Sequence, residues 1–143
     1  MRTRSTNGDD SRFSLWLRVR EFAVPPSMIE TATARRSVGD WAGACAAAGF
    51  DVDVDLRSLA RSHGQEVAAR LRADLRQLAP DLLRWHLPRV APDGLLRPGL
   101  TIALARYGPP GSRSRCGRAG SVYLVVRTAP AWADAGQRIG LAL

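Results

Sequence analysis

FDVDVDLRSLARSHGQEVAARLRADLRQL, residues Phe50 to Leu78, changes its apolar period partway along, and that change decides the fold class. Phe50, Val52, Val54 and Leu56 alternate with Asp51, Asp53 and Asp55, which predicts a short strand with one acidic face, a helical arm being the alternative. From Leu56 onward the apolar spacing becomes three to four: Leu56, Leu59 and Ala60, a break near Gly64, then Val67, Leu71, Leu75 and Leu78. Arg57, Arg61, Arg70, Arg72 and Arg76 fall mainly off that stripe, on the side left to solvent. Leu71 and Leu75 are therefore expected in the core of the longest helix.

Toward the N-terminus, Phe13, Leu15, Leu17 and Val19 alternate with Ser14, Trp16, Arg18 and Arg20, so a strand is expected from about 13 to 23, after a disordered tail at 1–12. Pro25 and Pro26 end it. Ser27 with Glu30 has the spacing of a capping box for a helix running to about Val38, which Gly39 closes. Asp40 can cap a second helix, Trp41 to Ala48, whose alanines permit close approach of the first; Gly49 follows its end.

Toward the C-terminus, Pro80 opens a short helix to Leu87, and Asp93-Gly94 and Pro98-Gly99 are turn signals. Leu100 to Tyr107 and Ser121 to Thr128 are rich in strand formers and read as a hairpin around a long Gly/Pro/Arg loop, 108–120. Ile139, Leu141 and Leu143 read as a third strand. It alternates with Gly140 and Ala142 and carries none of the charge that protects natural sheet edges, so it is expected to leave apolar surface uncovered and to drive self-association. The chain is thus expected to be one α+β domain over 13–143, with an N-terminal strand and helical segments before a C-terminal antiparallel hairpin or meander, incomplete at its C-terminus.

All 21 cationic side chains are arginine. Without lysine, P-loop phosphate binding, Schiff-base chemistry and a lysine general base are excluded. The same skew, with abundant Ala, Gly, Leu and Asp, is the codon signature of a GC-rich genome. The formal charge of +8 is uneven, and residues 94 to 143 hold seven arginines against one acid. No apolar run is long enough for a membrane helix, the N-terminus is not a secretory signal, and the two cysteines neither pair in a framework nor have metal spacing. A cytoplasmic location is expected.

The sharpest local chemistry is Cys116 between Arg113, Arg115 and Arg118 in the Gly-rich loop. Adjacent cations favour a thiolate, and arginines with free backbone amides can hold an anion, so the loop is a candidate for a reactive thiol or an anion site. Cys45, in the alanine-rich helix, is expected to be buried. Asp51, Asp53 and Asp55 start like an EF-hand loop, yet Leu56 stands where glycine is required and Ser62 where the closing acid belongs. His63 reads as a helix-end residue and His86 as a partly buried packing residue; neither sits in a catalytic signature. Trp41 and Trp85 are expected to pack at the core and its rim. No catalytic, metal-binding or cofactor-binding residue is assigned, and no cofactor is expected.

The run LAPDLLRWHLPRVAPDGLLRPGLTIALARYG, Leu78 to Gly108, with VPPSMIETATARRSVGDWAGACAAAGFDVDVDL, Val24 to Leu56, resembles conserved-hypothetical proteins of high-GC Gram-positive bacteria. That resemblance carries over no activity and no functional residue. Members of that type look longer, which implies that this chain is the N-terminal part of a longer protein or the product of a truncated gene copy. The expected function is a non-catalytic interaction module with an unknown protein partner or with itself. An arginine-mediated binder of nucleic acid or another polyanion is the alternative, and an enzyme without a recognisable motif is the third.

Overall fold

The computed structural model describes residues 7–108, 120–133 and 137–143, with side chains from residue 12 onward. The fold is α+β. Six α-helices, α1 (Asn7–Arg18), α2 (Pro26–Ser37), α3 (Trp41–Ala47), α4 (Leu56–His63), α5 (Gln65–Gln77) and α6 (Pro80–His86), are joined by a π-helical turn, Val19–Ala23, after α1. The strands are β1 (Phe50–Asp53), β2 (Arg89–Val90), β3 (Leu95–Leu96), β4 (Thr101–Tyr107), β5 (Val122–Thr128) and β6 (Ile139–Ala142).

Local chemistry sets most boundaries. Pro25 precedes α2 without a side-chain cap, so the Ser27/Glu30 capping box does not form; Ser27 instead lends its carbonyl to the Thr31 hydroxyl at 2.8 Å. Gly39, at φ +76°, turns the chain after α2 in a conformation that side chains disfavour. Asp40 Oδ1 accepts the Gly43 amide at 2.8 Å and starts α3, and a Cβ on Gly43 would lie only 2.1 Å from the other carboxylate oxygen, so cap and glycine require each other. Ala32 and Ala44, both fully buried, let α2 and α3 pack as the expected hairpin. Asp55 Oδ1 accepts the amides of Arg57 and Ser58 at 2.9 and 3.1 Å and starts α4. Gly64 separates α4 from α5.

The four-stranded sheet has the order β1-β6-β5-β4. β1 and β6 are parallel, with Phe50 opposite Ile139 and Val52 opposite Leu141, whereas β6–β5 and β5–β4 are antiparallel. The expected hairpin is the β4–β5 pair, broken by a register shift between Ala103 and Ala105. β2 and β3 form a separate two-stranded ribbon. The helices bury Leu59, Ala68, Leu71 and Leu75 with Phe50, Tyr107, Leu124, Val126, Ile139 and Leu141, and Leu71 is completely excluded from solvent. Tyr107 closes this core by donating its hydroxyl to Asp74 Oδ2 on α5 at 2.5 Å.

Two further expectations are corrected. Residues 13–23 are helical, and the helix begins at Asn7, inside the stretch expected as a tail. The apolar alternation there also satisfies helical spacing, because Leu15 and Val19 are four apart; both approach Gly94, and Val19 is fully buried. The last strand, expected at an exposed edge, is an inner strand paired on both sides. Ile139 and Leu141 are fully buried, and small residues at 140 and 142 suit a strand covered on both faces.

Candidate interaction surface

Helix α1, with the turn that follows it, is apolar on two sides. At about 100° per residue, Leu15 and Val19 lie on one side and Phe13, Trp16, Leu17 and Arg20 on the other. The first pair meets the domain at Gly94. The second set faces outward, with Phe13 72% exposed, Leu17 62% and Trp16 44%.

That outer face continues onto the body of the domain. Trp16 stacks on Trp85 of α6, with ring centroids 5.5 Å apart and planes 18° from parallel. Beside the stack lies an apolar groove of about 460 Å³, bounded by Arg20, Pro26, Ile29, Glu30, Leu82 and Trp85. Ile29 and Leu82 are exposed in it. His86 also lines the groove and is exposed, so it does not pack inside as expected. The exposed parts of Phe13, Trp16, Leu17, Ile29 and Leu82 come to roughly 500 Å², near the upper size of the largest apolar patch on an ordinary monomer.

Arg84 fixes the base of this surface. It is only 6% exposed and donates from Nε to Ala23 O at 2.9 Å, and from Nη1 to Gln137 O at 2.9 Å and Ala48 O at 3.4 Å. One guanidinium thus joins the turn after α1, the end of α3 and the approach to β6. Burial pushes its pKa down, helped by the charge of Arg138. Arg89 extends the tie, donating to Gly94 O at 2.8 Å and to Arg84 O at 2.7 Å; burial, then the Arg84 charge, lower its pKa to about 10. Sequence spacing had no signal for either residue, since an arginine that serves backbone carbonyls looks like any surface arginine until the elements are assembled.

The residues with potential chemistry lie elsewhere and apart. Cys45 is 1% exposed, and burial raises its thiol pKa to about 11, the opposite of nucleophile activation. Arg113, Arg115, Cys116 and Arg118 lie outside the described residues. Asp51 binds Arg138 through two hydrogen bonds of 2.8 and 2.6 Å, which hold its carboxyl below the usual range, and Asp55 is a helix cap. His63 ends α4 as expected; its Nδ1 is 2.8 Å from Ser62 Oγ, which also reaches Ser58 O at 2.9 Å, so this contact belongs to the helix end. Trp41 and Trp85 are half-buried against the core and α1, respectively. Among the described residues no group of three His, Cys, Asp or Glu could hold a metal ion, and no helix is long and apolar enough to cross a membrane. Compared with known family models, curated proteins and solved structures, the chain matches none.

Proposed function

We propose that this protein is a non-catalytic interaction domain that associates with a second copy of itself through the outer face of α1 and the adjoining groove. The observation that carries the proposal is the double-sided apolar character of α1: one side is used by the domain itself, and the other presents Phe13, Leu17 and the part of Trp16 not covered by Trp85 to water. A helix with apolar residues on two sides is normally covered on both. An i, i+3, i+4 stripe such as Phe13, Trp16 and Leu17 is self-complementary about a two-fold axis, where the same patch serves both partners.

The test compares sedimentation and light scattering of the chain over a range of concentrations with those of Leu17→Glu and of Val38→Glu, the latter a 78% exposed position at the end of α2. The native chain and Val38→Glu should form dimers that Leu17→Glu converts to cooperatively folded monomers, whose melting temperature no longer rises with protein concentration. A native chain that stays monomeric at every concentration sinks the proposal.

A further inference from the structure

Helices α4 and α5 carry a second surface of different chemistry. Arg57 and Arg61 on α4 and Arg72 on α5 line a cleft of about 400 Å³ with Leu56, Gln65 and Ala68, and no acidic residue lines it. The ion pairs among the described residues are Arg35–Asp40 and Arg138–Asp51, so none of the three arginines is neutralised that way. Asp55, two residues before Arg57, has its Oδ1 committed to the backbone amides that start α4, and the charges of Arg61 and Arg57 reach it without an ion-pair contact. All three arginines are exposed, and Arg76 continues the row one turn beyond Arg72.

We infer that this cleft is a binding site for the phosphate backbone of duplex nucleic acid, read without regard to sequence. Guanidinium groups bind phosphate oxygens through two parallel hydrogen bonds, and this chain has no ammonium group that could substitute. Residues four apart on a helix stand about 6 Å apart, within reach of neighbouring phosphates that succeed one another at about 3.4 Å along the axis of one strand. The floor between the arginines is aliphatic, with no ring on which an unpaired base could stack, which favours a duplex over a single strand. This site is on different elements from the α1 face and does not rest on self-association.

The experiment is fluorescence anisotropy of a labelled mixed-sequence DNA duplex, titrated with the chain at several salt concentrations. Beside it run the site triple Arg57→Gln/Arg61→Gln/Arg72→Gln and a charge-matched triple on the sheet and its approach, Arg97→Gln/Arg106→Gln/Arg127→Gln. The site triple should bind at least about tenfold more weakly and lose roughly 3 from the slope of log affinity against log salt, one per phosphate contact removed. The matched triple should lose much less. Equal losses from the two triples would reduce the effect to net charge and overturn the inference, as would polyglutamate competing as well as unlabelled duplex. If the site triple melts below the working temperature, Arg57→Gln and Arg72→Gln are read singly. An unchanged salt slope in both singles overturns the inference equally.

Discussion

At the scale of single residues, burial governs the chemistry of the described side chains more than charge does. Cys45 sits among Ala44, Ala48 and the core, and its thiol ionises at about 11 instead of 9.0 because the thiolate would lose its hydration. The folded pKa is the higher one. The unfolded chain therefore releases its proton first as pH rises, and the stability that protonated Cys45 provides is complete below pH 9 and lost between about 9 and 11. Denaturant unfolding across that window should show Cys45→Ala declining less steeply than the native chain, by about 2–3 kcal/mol at most. Parallel curves for the two proteins would contradict the assignment. The location of Cys45 was legible in the alanine-rich helix around it, whereas that of Arg84 was not, because its three carbonyl acceptors come from distant parts of the chain.

At the scale of elements, boundaries set by a single aspartate cap or glycine appear where the sequence places them, the two-residue Ser27/Glu30 box does not form, and elements defined only by alternation depend on their neighbours. Asp40, Gly39, Asp55 and Gly64 act over two to four residues, so their effect is visible locally. Residues 13–23 offer a strand and a helix pattern at once, and the contacts of Leu15 and Val19 with Gly94 and of Trp16 with Trp85 select the helix. Arg84 holds that helix's exit in place through Ala23 O. Arg84→Met should therefore cost about 2–5 kcal/mol, since the carbonyls of Ala23 and Gln137 lose a buried donor. Tryptophan fluorescence should report the loosened Trp16–Trp85 stack before global unfolding. A variant that melts with the native profile would show that water satisfies those carbonyls.

At the scale of the whole molecule, the position of β6 removes the last strand from the exposed apolar surface. Ile139 and Leu141 are inserted between β1 and β5, and the exposed apolar side chains that adjoin one another, Phe13, Trp16, Leu17, Ile29 and Leu82, are on α1, α2 and α6. Leu141→Arg should accordingly abolish cooperative unfolding instead of dispersing an aggregate, because an unpaired charge on a fully buried strand costs several kcal/mol against a total stability of about 5–15 kcal/mol. Circular dichroism melting with light scattering decides the matter. A well-folded, monodisperse Leu141→Arg protein would return β6 to an edge.

What the sequence determined alone is the α+β class, the helices from Pro26 to His86 to within a residue or two, the β4–β5 hairpin and the core role of Leu71 and Leu75, because each rests on interactions within about one element length. The tertiary structure decided the rest. The parallel pairing of Phe50 with Ile139 joins residues on opposite sides of the helical and hairpin segments, and no local period records it. For the same reason the buried ties of Arg84, the Trp16–Trp85 stack and the meeting of Arg57, Arg61 and Arg72 at one cleft exist only once the chain has closed on itself.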